Sequence, residues 1–171
     1  MRSLLKISAG IDEFNALILN LVAWLSLGMV LIQIFVVILR YVFGTGSIQI
    51  QESIIYMHAM LFMLAAAGTY LADEHVRVDI FYRSMPPRRQ AMVNFFGCLF
   101  FLLPFCFLIM YSAYDYVALS WRVREGSRET GGIQAIYLLK TVIPVMAGLL
   151  MLQGFSQTIK SLDKMLGRGE A

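Results

Sequence analysis

The chain has few charged residues, few histidines and cysteines, and no long polar segment. Only 15% of its 171 residues are charged, whereas 59% are hydrophobic, and the mean hydropathy is +0.71. Such values lie outside the range of ordinary soluble domains. The composition therefore excludes a sizeable soluble catalytic domain and indicates an integral membrane protein.

Residues that usually carry chemistry are also scarce. The sequence contains no phosphate-binding glycine loop, nucleophile elbow or zinc-ligand spacing. His58 is the only histidine within an apolar stretch, so we expect no membrane haem with two axial ligands. Cys98 and Cys106 would be about 12 Å apart along a helix, too far for a disulfide. We therefore predict no catalytic residues, no metal site and no cofactor.

Four long apolar stretches occupy most of the chain. Because a helix rises about 1.5 Å per residue, about 20 apolar residues cross a hydrocarbon core of about 30 Å. The stretches predict an all-α membrane protein with four transmembrane helices in a single membrane domain, 1–171. They cover residues 14–39, 51–71, 91–119 and 134–155. The first is too long for the core of a signal peptide and is expected to be retained.

Four spans place the termini and the middle loop on one side of the membrane and the other two loops on the opposite side. Positive charge is divided unequally between these two sides. Nine of the 14 Lys and Arg residues fall on the side of the termini and the middle loop. Because positively charged loops stay in the cytoplasm, we expect both termini there. The net charge of +3 comes from basic residues at the membrane edges, where they would meet phospholipid headgroups. We expect no binding of nucleic acid.

The middle loop favours a short amphipathic helix on the cytoplasmic membrane surface, at about residues 74–87. Pro86 and Pro87 would end this helix. An extended link is the alternative, because Val76, Val78 and Ile80 alternate with polar residues. The side chains predicted to anchor the protein in the membrane are Arg77, Arg83, Arg88 and Arg89 on the cytoplasmic side and Trp121 on the outer side.

Few ionisable residues flank the spans on the outer side. Arg40 and Glu52 flank the first loop, and Asp115 and Lys140 flank the third loop. Such side chains either reach to water or pair with one another. We hypothesise that Arg40 and Glu52 form an ion pair that closes the first hairpin.

Prolines and small residues predict how the helices bend and pack. Pro104 and Pro144 each remove a backbone hydrogen bond within a span, so both helices are expected to kink there. The run from Ala65 to Gly68 allows close approach of a second helix. Five glutamines are candidates for hydrogen bonds between helices: Gln33, Gln49, Gln51, Gln134 and Gln153.

The third loop, residues 120–132, is the largest exposed segment on the outer side. It is polar enough to dock a soluble partner, although its charges are equally consistent with the solvated flanks of two helices. Its basic residues are Arg122, Arg124 and Arg128, set among Glu125 and Glu129.

In order and spacing, these features resemble the small membrane subunit, or DctQ type, of tripartite ATP-independent periplasmic (TRAP) transporters. The resemblance covers almost the whole chain and includes the four-span layout. It rests further on Glu52 near the start of the second span, the run from His75 to Asp79 followed by Pro86, Tyr137 after a Gly-rich segment, and the pair Ile143 and Pro144.

The resemblance implies a scaffold in the bacterial inner membrane. A periplasmic substrate-binding protein would deliver an organic acid to this subunit and a larger one, which would be a sodium-coupled elevator working by symport. Arg122, Arg124 and Arg128 are the expected contacts with the periplasmic protein. The alternative is a small autonomous exporter, in which Glu52 exchanges protons for a cationic compound.

Overall fold

The computed structural model describes residues 2–75 and 80–166, and this part of the chain is helical without strands. Cys98–Leu102 form a π-helical segment that joins α3 and α4 into one continuous third span, Pro87–Arg122. The described residues therefore contain four helices that are long and apolar enough to cross a membrane, which confirms the predicted fold class. The α-helices are α1 (Arg2–Val42), α2 (Ile48–Leu71), α3 (Pro87–Gly97), α4 (Leu103–Arg122) and α5 (Ile136–Met165).

The helices extend beyond the apolar stretches of the sequence. α1 has 41 residues and α5 has 30. At about 1.5 Å per residue α1 is about 62 Å long, roughly twice a hydrocarbon core of about 30 Å. α1 thus continues through residues 2–13, where charged and polar residues interrupt the apolar ones.

α5 is the central helix of the protein. It packs against α1, α2 and the third span, whereas the backbone of the third span lies close to no other described helix. The α1–α2 pair and the third span therefore lie along different faces of α5. The fully buried residues of α5 are mostly small or polar: Ala147, Leu149, Gln153, Gly154, Ser156, Ile159 and Ser161.

The α1–α2 contact is built on small residues, as predicted. Gly68 lies so close to α1 that an added Cβ would be 2.6 Å from the Cβ of Leu19. Ala67 beside it is 1% exposed. Close backbone approach of this kind replaces the hydrophobic drive that is missing between helices in lipid.

The third span changes its helical pitch just before Pro104. The N–H of Leu103 bonds to the carbonyl of Cys98, five residues earlier. Pro104 has no N–H to offer the carbonyl of Phe100, so the regular α-helical pattern cannot continue through this turn. π turns and prolines are both recognised causes of kinks. The bends at Pro104 and at Pro144, which lies inside α5, stay predictions.

The middle loop differs from the prediction. Residues 80–84 form consecutive turns, while residues 76–79 lie outside the described part of the chain. The helix expected at about 74–87 is therefore unconfirmed. The two prolines begin the next helix, because Pro86 caps α3 and Pro87 is its first residue, and the expectation that they end a preceding helix stays untested. A proline suits the first turn, where its missing N–H would have no helical partner.

Candidate functional site

The loop of residues 123–135 between α4 and α5, named the outer loop after its predicted side of the membrane, is fastened to α2 by Glu52. One carboxylate oxygen of Glu52 accepts a hydrogen bond from the hydroxyl of Ser127. The other oxygen accepts one from the backbone N–H of Ile133, at 2.5 Å. Gly132 allows this close approach, because an added Cβ would be 2.7 Å from Glu52 Oε1. Glu52 thus holds two points of the outer loop at the start of α2.

The predicted ion pair between Arg40 and Glu52 is not formed in the described part of the chain. Both oxygens of Glu52 are bound by the outer loop, and Arg40 is exposed in the last turn of α1. An exposed arginine gains little from pairing, whereas the donors of a folded loop satisfy a carboxylate directly. Glu52 therefore connects α2 with the outer loop and not with α1.

A second carboxylate ties the outer loop to α5. Glu125 accepts hydrogen bonds from the Ser120 hydroxyl at 2.7 Å and from Lys140 Nζ at 2.5 Å. Lys140 Nζ also lies 3.9 Å from the centre of the Tyr116 ring. The hydrogen bond from Lys140 holds the pKa of Glu125 below its ordinary value of 4.5. The contact therefore stabilises the fold at pH values above 4.5, and this stabilisation is lost as the pH falls through the lowered pKa of Glu125.

Trp121 joins the end of α4 to α5. Its indole N–H donates a hydrogen bond to the Thr141 hydroxyl at 2.8 Å, and its ring meets that of Tyr137 edge-on, with the centroids 4.7 Å apart. The side chain remains 47% exposed. This position is compatible with the predicted anchoring role and adds a helix-pairing role that the sequence did not indicate.

The arginines predicted to contact a partner are exposed at the rim of the outer loop: Arg122, Arg124 and Arg128. Arg124 has a φ of +45°, in the left-handed region that glycine usually occupies. The backbone N–H of Arg124 donates a hydrogen bond to the carbonyl of Trp121 at 3.2 Å. The backbone N–H of Glu125 donates one to the carbonyl of Ser120 at 3.0 Å. These two bonds form a Schellman cap on α4, with arginine at the glycine position.

A polar network joins α1 to α5 at the opposite end of the molecule. Asp12 accepts hydrogen bonds from Ser156 Oγ at 2.7 Å and Gln153 Nε2 at 3.0 Å, and it forms an ion pair with Lys160. Asn15 Nδ2 donates to Gln153 Oε1 at 2.7 Å, and both residues are almost fully buried. Gln153 was one of five glutamines expected to bond between helices, and the rest of the network was not expected.

The sequence does contain a signal for this network. Ser8, Asn15 and Val22 are the buried residues of α1, and they recur every seven positions, as on one face of a helix that packs against others. The hydroxyl of Ser8 lies 2.7 Å from that of Ser156. Polar residues on this repeat therefore mark where α1 is bonded to α5.

Side chains of α3 hold the middle loop against this helix. Asn94 Nδ2 donates a hydrogen bond to the Tyr82 hydroxyl at 2.8 Å. Gln90 Nε2 donates to the carbonyls of Tyr82 and Met85, each at 3.1 Å. Of the predicted anchors on this side, Arg77 lies outside the described residues. The others are exposed around the start of α3: Arg83, Arg88 and Arg89.

Comparison with known families identifies the chain. The family model for tripartite ATP-independent periplasmic transporters, DctQ component, matches residues 29–164. This range includes α2, the third span, the outer loop and nearly all of α5. No curated protein and no solved structure matches the chain significantly. The matched range exceeds half of the 171 residues, so the chain belongs to the DctQ family, the small membrane subunits of TRAP transporters.

Proposed function

We propose that this protein is the static scaffold of a TRAP transporter in a bacterial inner membrane. It braces a large sodium-coupled elevator subunit and helps a periplasmic substrate-binding protein to dock, for the uptake of an organic acid by symport. The observation that carries the proposal is the outer loop, which Glu52 connects to α2 and Glu125 connects to α4 and α5. A loop tied to three helices keeps its position while another subunit moves.

Substrate and ion sites belong, in this proposal, to the large subunit. Secondary transporters hold their cargo with broken helices and charges near the bilayer midplane. Asp12 is unsuited to that role, because Lys160, Ser156 and Gln153 already occupy its oxygens. The identity of the cargo as an organic acid, and its coupling to sodium, rest on the family resemblance alone.

The α1–α2 pair is the face assigned to the large subunit. Asn20, Gln33 and His58 are exposed on this pair and make no hydrogen bond within the described residues. His58 lies about 15 Å along α2 from Ile48, near the middle of a core of about 30 Å. Polar side chains that face lipid at this depth are costly, whereas a protein neighbour can bond them.

The rim of the outer loop is the surface assigned to the binding protein. An arginine in the left-handed region costs about 1–2 kcal/mol more than glycine, so Arg124 reduces the stability of its own helix cap. Strain of this kind is typical of positions where the side chain is used. This favours a role for the arginines in docking over the alternative that they are only solvated side chains at the helix ends.

The competing function, an autonomous proton-coupled exporter, depends on Glu52 as the exchanging carboxylate. Glu52 lies in the second turn of α2, and the outer loop occupies both of its oxygens. Proton exchange would release the loop at every cycle. These contacts favour a structural role for Glu52.

Transport by sealed vesicles tests the proposal. The purified protein alone is expected to move no solute under a sodium or proton gradient. With the large subunit and the loaded binding protein present, we expect uptake that requires a sodium gradient. Charge reversal at all three rim positions, Arg122→Glu with Arg124→Glu and Arg128→Glu, should lower uptake while the large subunit still co-purifies. Solute flux from vesicles that hold this protein alone would overturn the scaffold role.

A further inference from the structure

A basic cavity of about 560 Å³ opens between the start of α3 and the end of α5. Arg88, Lys160 and Lys164 line it, and none of its lining residues is acidic. Lys160 pairs with Asp12, but Arg88 and Lys164 form no ion pair within the described residues. The cavity therefore carries excess positive charge at the ends of two membrane-crossing helices.

Two uncharged polar side chains of α5 line the same cavity without a protein partner. Ser161 is only 3% exposed and Gln157 is half-buried, yet neither makes a hydrogen bond within the described residues. The polar atoms of both side chains are open to the cavity and not enclosed by protein. The hydroxyl and the carboxamide are therefore available to a ligand with acceptor oxygens.

An apolar groove of about 610 Å³ continues from this cavity along the third span. The cavity and the groove share Tyr82, Asn94 and Gln157. Gly97 leaves the groove open, since an added Cβ would meet nothing within 4 Å. The groove follows a row of residues spaced four apart, which are Val93, Gly97, Phe101 and Phe105.

The groove matches the depth of a lipid leaflet. Its row of residues, 93–105, extends about 18 Å at the helical rise of about 1.5 Å per residue. One leaflet of a core of about 30 Å is about 15 Å deep. An acyl chain that begins at the basic cavity therefore fits along the groove within a single leaflet.

From these features we propose that the protein binds one anionic phospholipid at this place. The phosphate accepts hydrogen bonds from Arg88, Lys164, Gln157 and Ser161, and one acyl chain lies in the groove. Arginine suits this role because its planar guanidinium matches phosphate geometry. The unpaired cations favour an anionic headgroup over a zwitterionic one, and the connected groove favours a lipid over inorganic phosphate.

Native mass spectrometry of the full-length protein, titrated with phosphatidylglycerol in detergent, tests this proposal. Phosphatidylcholine and inorganic phosphate serve as comparison ligands. One variant, Arg88→Gln with Lys164→Gln, removes the excess charge. A second, Gly97→Leu, places a side chain in the groove at a position where an added Cβ would meet nothing within 4 Å. Arg89→Gln is the matched control, because Arg89 is exposed in the same helical turn but does not line the cavity.

We expect the variant with Arg88→Gln and Lys164→Gln to bind phosphatidylglycerol at least about tenfold more weakly, because it loses two charged hydrogen bonds. Gly97→Leu should bind it about tenfold more weakly, because a few acyl methylenes are no longer buried. Arg89→Gln should bind it like the unchanged protein. Unchanged binding by Gly97→Leu, equal weakening by Arg89→Gln, or equal binding of phosphatidylcholine or phosphate would each overturn the proposal. Thermal unfolding of each variant without added lipid verifies that it is folded.

Discussion

Glu52, Glu125 and Asp12 each accept hydrogen bonds from at least two donors on other parts of the chain. A carboxylate close to the lipid boundary is costly unless its oxygens are bonded. Several donors per carboxylate meet that requirement at both ends of the molecule. The same bonds hold loops and helix ends in place, so the few charges of this protein serve mainly to position its segments.

Arg124→Gly is expected to stabilise the protein and to weaken docking. Glycine adopts the φ of +45° without the steric cost of a Cβ, which amounts to about 1–2 kcal/mol. The melting temperature should therefore rise by about 2–8 °C. Affinity for the binding protein, measured with the assembled membrane complex, should fall because a rim charge is lost.

Arg122→Ala is the control for this variant, because Arg122 ends α4 with ordinary helical geometry. It should weaken docking without raising the melting temperature. A stabilised Arg124→Gly protein that docks normally would show that the Arg124 side chain only solvates the helix end.

At the scale of helices, close crossings decide which small residues are required. An added Cβ at Gly68 would meet the Cβ of Leu19 at 2.6 Å, whereas at Gly154 it would meet Leu102 Cδ2 at 2.8 Å. The Leu102 atom is the movable end of a side chain, but the Leu19 atom is fixed to its backbone. The α1–α2 crossing is therefore less tolerant than the contact between α5 and the π segment.

Gly68→Ala should lower the free energy of unfolding by about 1–3 kcal/mol, the usual cost of overpacking a close contact. Gly10→Ala makes the same substitution in α1 where a Cβ meets nothing within 4 Å, and it should leave stability unchanged or slightly raised. Thermal unfolding in detergent, monitored by circular dichroism, compares the melting temperatures of the two variants. Equal melting temperatures would mean that α1 moves aside without cost.

Apolar length was enough to predict four spans, because every helix that crosses lipid needs about 20 apolar residues. It did not predict where the helices end, since charged and polar residues interrupt the apolar ones in segments such as residues 2–13. The contacts of Glu52 were also missed, because Ser127 and Ile133 are 75 and 81 positions away. Pairings of that range depend on how the helices pack around α5, which local patterns do not encode.

At the scale of the whole molecule, the polar side chains that face outward on α1 and α2 should govern assembly. Gln33→Leu with His58→Leu is expected to leave the isolated protein folded, because leucine suits lipid. Recovery of the large subunit on purification should fall several-fold, as two hydrogen bonds of about 0.6 kcal/mol each are lost with their packing.

Phe107→Leu is the matched control for assembly, since Phe107 is 62% exposed on the third span, away from the α1–α2 pair. It should recover as much of the large subunit as the unchanged protein does. If the control lost the large subunit and the double variant kept it, the contact would lie on the third span.

The central position of α5 also has a consequence for biogenesis. Ribosomes release this helix last of the four, after the α1–α2 hairpin and the third span have entered the membrane. The backbone of the third span lies close to no described helix except α5, although Tyr70 of α2 bonds Cys98, so we expect the first three spans to be loosely associated until α5 enters. Insertion of the final helix is thus the step that commits the chain to its native form.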